Sequence, residues 1–320
     1  MRQRVALLTG ITGQDGSYCA ELLLAKGYKV FGLIRRSSSP RLERITHILD
    51  QLELLYGDIT DQASLERALT DARPDEVYNW CAQSFVASSF ITPLATADST
   101  GLGALKLLEA IRATGQHPRL FHASSSEMFG NAVLTPQDEE TPFRPVSPYG
   151  VAKTFAHLCM NVYRTSYKMY TCCGISFNHE SERRGEEFVT RKITKAVAAI
   201  KAGKQDVLSL GNLAARRDWC HAEDVVEAAW RMLQQDTPRD YVLASGEAHT
   251  VQEFVEAAFN HASLDYHQYV KFSPTYLRPT DVQSLCGNAA RAYRYLGWRP
   301  KVTFLQLVQR MVEHDLAPAA

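Results

Sequence analysis

The sequence predicts an α/β fold, a doubly wound parallel sheet with a smaller, interleaved C-terminal domain. Three observations predict it. Short apolar runs alternate with helical stretches through the first half of the chain, the pattern of βαβ units joined by right-handed crossovers. A glycine-rich turn, "TGITGQDGSY", separates the first apolar run from the first helix. The 320 residues contain no Ser/Gly linker, repeat or low-complexity tract, and a chain of that length can bury a substantial core.

Each element follows from its own residues. "RVALLTG" reads as a buried strand, and a helix is expected over 17–26. "YKVFGLI" and "LELLYG" are the next strands, "DQASLERALTDA" a helix and "EVYNW" a fourth strand. A long helical segment is expected over 93–114, then the strand "RLFHAS". Ser147 and Pro148 open a further helix as cap and first-turn residue, and "YTCCGISF" makes a sixth strand. "EFVTRKITKAVAAIKAG", "AEDVVEAAWRMLQQ" and "VQEFVEAAFNHA" have the apolar spacing of one-sided helices. The tail predicts a helix, a turn at "GWRP" and a final helix.

Composition excludes several classes of function. Lys plus Arg equals Asp plus Glu, 35 each, which argues against broad attraction to nucleic acid or membrane. The seven cysteines form no CxxC pair and no Cys/His cluster for zinc, so a reducing compartment is expected and no metal. The N-terminus lacks the apolar segment of a secretory signal, and no run reaches the roughly 18 residues of a membrane span. The expected location is cytoplasmic.

The glycine turn carries the first chemical signal. Gly10, Gly13 and Gly16 form GxxGxxG between strand and helix, where missing Cβ atoms let a pyrophosphate approach the helix N-terminus. This is the dinucleotide turn of a Rossmann-like sheet, against the plain alternative of an empty turn. Where an NAD enzyme carries an acid after the second strand, this chain has Arg35, Arg36, Ser37 and Ser38. Guanidinium forks suit a 2′-phosphate, so NADP is favoured over NAD. Asp58 is placed to accept from an adenine amino group or to cap a helix. Cys81, Ala82 and Ser84 mark the edge after the fourth strand, leaving room for cofactor or substrate, or forming a packed loop.

Tyr149 and Lys153 form YxxxK in "SPYGVAKTF", one helical turn apart on one face. Lys153 can stabilise a Tyr149 phenolate and hold a nicotinamide ribose. The phenolate takes a hydroxyl proton as hydride leaves the same carbon. Ser125, in "FHASSSEMFG", is a donor to the same oxygen. Glu127 lies two residues further on. Alcohol oxidation needs no such carboxylate, but removing a proton beside a new carbonyl does. Its plain alternative is a solvated or capping glutamate.

The chain resembles the GDP-mannose 4,6-dehydratases of the extended short-chain dehydrogenase/reductase family nearly end to end. The resemblance rests on "TGITGQDGSY", "RRSSS", "PDEVYNWCAQS", "SSSEMFG", "SPYGVAK", "FNHESERRGEEFVTRKI", "LGNLAARRDW", "RPTDV" and "LGWRPKVTF". It implies an NADP-binding domain over 1–175 and a mainly nucleotide-sugar-binding domain over 176–320, with some segments returning to the first. It assigns NADP to Gly10, Gly13, Gln14, Asp15, Gly16, Arg35, Arg36, Ser37, Asp58, Ile59, Ala82, Ser84, Tyr149 and Lys153. It assigns the sugar nucleotide to Ser84, Ser125, Glu127, Asn178, Glu180, Arg184, Lys192, Arg217 and Arg278. The implied reaction oxidises C4, eliminates water across C5 and C6 with Glu127 at the C5 proton, and returns the hydride to C6. A homodimer or homotetramer is implied as well.

Six positions depart from the family pattern. Ser125 replaces threonine, His122 glutamine, Cys81 alanine, Ser176 an apolar residue, Glu182 proline and Cys220 glycine. Such changes near a sugar pocket keep a second substrate open, GDP-D-glycero-D-manno-heptose. A nucleotide-sugar epimerase, reductase or decarboxylase, and a nucleotide-binding sensor without catalysis, are the remaining alternatives.

Overall fold

The computed structural model describes residues 2–277 and 279–317. Six of the seven strands of the main sheet come first in the chain: β1 Val5–Thr9, β2 Lys29–Ile34, β3 Leu52–Tyr56, β4 Glu76–Asn79, β5 Arg119–Ser125 and β6 Thr171–Ser176. Then come β7 Asn178–Glu180, β8 Leu208–Leu210, β9 Arg216–His221 and β10 Tyr241–Leu243. β11 Ala248–Thr250 and β12 Val270–Phe272 complete the set. The seven-stranded sheet has the order β10-β6-β5-β4-β1-β2-β3, and every pairing in it is parallel. The expected fold class is therefore found, and β10 returns from the second half of the chain to the sheet edge.

Helices cover both faces, as a parallel sheet requires. They are α1 Gln14–Ala25, α2 Gln62–Ala72, α3 Val86–Ile91, α4 Pro93–Thr96, α5 Gly103–Ala113 and α6 Pro148–Ser166. In the second half come α7 Val189–Lys201, α8 Ala222–Leu233, α9 Val251–His261, α10 Ala290–Leu296 and α11 Phe304–Leu316. Residues of α1, α8 and α10 share one core with the sheet, including Leu8, Leu23, Val225 and Trp298. Residues of α2, α5 and α6 share the opposite one, including Leu7, Leu69, Leu107 and Met160. A third core joins α7, α9 and α11 around Trp219, Phe254 and Met311.

Two elements differ from expectation for local reasons. The first helix starts at Gln14 rather than Ser17, because Gly13 takes the cap position in extended conformation without a capping side chain. The helical stretch after Pro93 widens into a π turn over Ala97–Leu102 before α5.

Between β1 and β4 the order of connection reverses, and in such sheets ligands bind beyond the strand ends at that switch point. Thr9 pairs in register with Asn79, Asn79 with His122, and His122 with Cys173. β5 and β6 run three residues further, to the Ser125–Ser176 pair, and the loops that follow all four strands leave the same edge of the sheet.

Candidate active site

The glycine turn is built around its missing side chains. Gly10 has φ +72, and a Cβ there would lie 3.0 Å from the Cys81 nitrogen in the loop after β4. That left-handed conformation disfavours any side chain. A Cβ on Gly16 would lie 2.2 Å from the Gly10 carbonyl oxygen, so the first turn of α1 packs directly on the turn. With no side chain capping α1, its leading amides are left for an anion. This cradle fits the diphosphate of an NAD(P) dinucleotide.

Gln14 and Asp15 turn their side chains elsewhere. Gln14 Nε2 donates to the His179 carbonyl (3.1 Å), and the Ser181 hydroxyl donates to Gln14 Oε1 (2.8 Å). Asp15 pairs with His179 Nε2 at 3.1 Å. Burial opposes charge on both members of that pair, yet the pair wins: Asp15 is held below and His179 above its ordinary value. His179 escaped the sequence reading because its partner lies 164 residues away.

Arg35, Arg36 and Ser37 leave the end of β2 exposed. They line a cleft of about 590 Å³ with Tyr56, Asp58 and Arg67. Asp58 Oδ1 accepts from the Thr60 amide (2.9 Å) and hydroxyl (2.8 Å), shaping the floor of that cleft. The Ile59 side chain is buried against Gly103, where a Cβ would come within 2.8 Å of it. Ala82 is half-buried and Ser84 exposed after β4.

The chemical group is assembled where β5 meets α6. Ser125 ends β5 and accepts from the Glu127 amide at 3.2 Å, which turns the chain and places Glu127 beyond the strand end. Ser147 opens α6 by accepting from the Gly150 amide at 3.0 Å, with Pro148 in the first turn. Gly150 is the residue the sequence reading passed over. A Cβ there would lie 2.7 Å from the Glu127 carbonyl, so glycine lets the Tyr149 turn rest on the Glu127 backbone. Lys153 donates to the Ala123 carbonyl at 2.6 Å and lies 5.8 Å from the centre of the Tyr149 ring. Four residues proposed for catalysis thus sit at one junction.

Burial dominates the acidities of Tyr149 and Lys153. It pushes the Tyr149 phenol up to about 12, against the lowering effects of the Ser125 hydroxyl and the Arg184 charge; Glu127 and Asp15 raise it further. Burial pushes the Lys153 amine down to about 8. Burial thus drives the phenol and the amine apart, leaving a neutral tyrosine beside a lysine that is still cationic at neutral pH. His122, behind them, is held neutral by burial and by the neighbouring Lys153 and His157. It accepts from the Asn79 amide at 3.0 Å, and Asn79 in turn accepts from Thr9 at 2.6 Å.

The residues expected at the sugar nucleotide are distributed over the second half. Asn178 is half-buried on β7. Glu180 is buried, accepts from Thr190 (2.6 Å) and pairs with Arg184 at 3.1 Å, while the Arg184 guanidinium stacks 3.5 Å over Phe188. Glu180 therefore holds Arg184. Lys192 donates to the Ser209 carbonyl (2.7 Å) and sits over Tyr276. Arg217 is buried and pairs with Asp281 at 3.0 Å. Arg278 lies outside the described residues. Glu182, the departure that adds a charge, turns to His221 Nε2 at 3.4 Å. Burial raises its pKa, but the hydrogen bond and charge of His221, with a backbone hydrogen bond, outweigh it and bring the pKa to about 2.

The family model described as GDP-mannose 4,6 dehydratase matches residues 7–311. The chain is 51% identical to GDP-mannose 4,6 dehydratase 1 of Arabidopsis thaliana, over 98% of this chain and 90% of that one. It is 46% identical to the GDP-mannose 4,6-dehydratase of Vibrio cholerae, over 100% and 95%. Among solved structures, UDP-glucose 4-epimerase of Thermus thermophilus with NAD superposes with TM-score 0.86 at 28% identity, covering 97% of this chain and 98% of that one. RMD of Pseudomonas aeruginosa with NADPH superposes with TM-score 0.81 at 23% identity, covering 98% and 99%, a likeness of fold.

Proposed function

We infer the reaction from two facts taken together: the chain belongs to the GDP-mannose 4,6-dehydratase family, and Glu127 follows Ser125 at the turn on which the Tyr149 helix rests. The protein is a hydro-lyase that converts GDP-D-mannose to GDP-4-keto-6-deoxy-D-mannose. The observation that carries this is Glu127. Its carboxylate is a base that oxidation at C4 alone does not need and elimination does.

The chain's own groups divide the work. A bound nicotinamide supplies a place to store the hydride taken from C4 until it returns to C6. Tyr149 takes the O4 proton, with Ser125 donating to the same oxygen and Lys153 stabilising the phenolate. Glu127 takes the C5 proton once C4 is a ketone, a proton delivered to the C6 hydroxyl lets it leave as water, and C5 regains a proton when hydride returns to C6. The ketone matters because it spreads the C5 charge onto oxygen. Burial of this junction excludes water from the 4-keto stage. Arg184, with Asn178, Lys192, Arg217 and Arg278, is proposed to hold the GDP portion.

The cofactor proposed is NADP. Arg35 and Arg36 are exposed beside the cleft after β2, and neither is engaged in an ion pair among the described residues. The test is the product mass after incubation with GDP-mannose and with GDP-D-glycero-D-manno-heptose, each with NADP+ or NAD+. Loss of one water from GDP-mannose, more efficient with NADP+, is expected. Water loss confined to the heptose reassigns the substrate, and loss from neither overturns the dehydratase reading.

The partner proposed is a second copy of the chain. Val151, Phe155, Leu158 and Val162 lie along one face of α6 and are 41–56% exposed, an apolar stripe at helical spacing. Leu94 is 85% and Ile91 80% exposed on α4 and α3, the short helices that contact α6. Covering side chains of this size contributes about 1.5–3 kcal/mol each when burial is complete. Light scattering should give at least twice the mass of one chain, and Leu158→Glu should reduce it to that of the monomer. An unchanged mass would remove α6 from the interface. The cytoplasmic location belongs to the same proposal; among the described residues no helix is long and apolar enough to cross a membrane.

A further inference from the structure

We propose that Arg44 is a positioning residue that ties the substrate-side segment to the glycine turn and so sets how slowly a bound dinucleotide leaves. This rests on the reading that NAD(P) binds at that turn. Arg44 follows the Arg35–Ser38 run and lies in neither the glycine turn nor the second half of the chain. Yet its one guanidinium reaches both. Nε donates to the Arg183 carbonyl at 2.8 Å, and Nη1 donates to the Thr12 carbonyl at 3.3 Å. Three pieces of chain meet at that group: the loop beyond β2, the turn between Gly10 and Gly13, and the segment that leads from β7 to Arg184.

The tie is one of several along the same seam. Arg183 donates to the Ser17 hydroxyl (3.0 Å), pairs with Glu21 (2.7 Å) and stacks over the Tyr18 ring at 4.0 Å. With the Gln14–Ser181 and Asp15–His179 contacts, the stretch from His179 to Arg183 is held to the first two turns of α1. Those turns are where a diphosphate is received. Arg44 differs from the other ties because it also holds the glycine turn itself. The half-buried guanidinium bears a charge that burial disfavours, and its two carbonyl acceptors compensate for lost water. A guanidinium presents donors in a rigid fork, so one group can span two backbone oxygens; an ammonium at the end of a lysine is a compact point with a different reach.

The consequence is a coupling between the two ligands. The segment tied by Arg44 continues into Arg184, whose charge acts on Tyr149, and is preceded by Asn178 and Glu180. Opening it to release dinucleotide disturbs the sugar-nucleotide side as well. A reaction that regenerates its cofactor within each turnover gains from such retention.

The test compares the parent with Arg44→Lys and Arg44→Met. Each protein is loaded with NADPH, and its release is followed by the loss of bound-NADPH fluorescence on adding excess NADP+. Hydrogen exchange at amides 181–188 is measured on the cofactor-free proteins. Both variants should release NADPH roughly tenfold faster, the effect of one lost charged hydrogen bond, and exchange faster across that segment. Release within twofold of the parent in both variants overturns the proposal, and so does a parent rate in Arg44→Lys, which would assign the effect to charge alone. If neither variant folds, Glu21→Gln weakens the same seam by removing a charge partner of Arg183, and an unchanged release rate there overturns it equally. No sugar is present in these measurements. A parent that retains NADPH but fails to dehydrate GDP-mannose overturns the reaction assignment and leaves the role of Arg44 standing; a parent that binds no NADPH overturns the role of Arg44.

Discussion

Glu127→Gln should lower water loss from GDP-mannose by roughly a thousandfold, within the range for removing a general base, while reduced nicotinamide builds up on the protein. The amide has the size of the carboxylate and keeps its place, because the turn is fixed by main chain: the Glu127 amide on Ser125, and the Glu127 carbonyl beneath Gly150. What it loses is the capacity to take the C5 proton. Oxidation at C4 draws on Tyr149, Ser125 and Lys153, all unchanged. The 4-keto sugar then has no base to carry it onward, and stored hydride waits. Nicotinamide absorbance, followed with product mass, gives the answer. Normal product from the variant would remove Glu127 from the elimination. Loss of product without reduced nicotinamide would place Glu127 in the oxidation step, as an orienting partner of Tyr149. An epimerase or reductase reading predicts neither pattern, since it gives Glu127 no proton to move.

How much of this was legible in sequence depended on distance along the chain. Tyr149 and Lys153 are one helical turn apart, and Ser125 and Glu127 share one turn, so spacing alone placed each pair. The glycine turn was equally local. The contacts that complete the site are not: Gln14 meets Ser181 across 167 residues, and Arg44 meets Arg183 across 139. No periodicity records such a meeting. Gln14 and Asp15, which the resemblance assigns to the cofactor, also fasten β7 with their side chains, a contact that no local pattern records. Gly150 hid for another reason: glycine inside a helix start looks like a weak helix former until the Glu127 carbonyl is seen against it. Strands β7, β8 and β10 to β12 have three residues each, too few to show a period of two.

Tyr149→Phe should reduce turnover by about a thousandfold or more, with NADPH binding retained, because it removes the group that accepts the O4 proton and leaves a ring of the same shape. The pocket explains why a tyrosine here needs help to act near neutral pH. Burial is the largest of the effects that bring its phenol to about 12, far above ambient pH. The nearest remedy is the Lys153 cation, itself brought to about 8 by burial, so at neutral pH the charge that stabilises a phenolate is present. A positively charged nicotinamide adds to it. Phenylalanine cannot use either. The order of steps follows from combining the substitutions. In Tyr149→Phe/Glu127→Gln, the reduced nicotinamide seen with Glu127→Gln alone should disappear, because oxidation no longer precedes the blocked elimination. If the double variant still accumulates it, the O4 proton has another acceptor. Ser125, the remaining hydroxyl at the strand end, would then be the residue to replace.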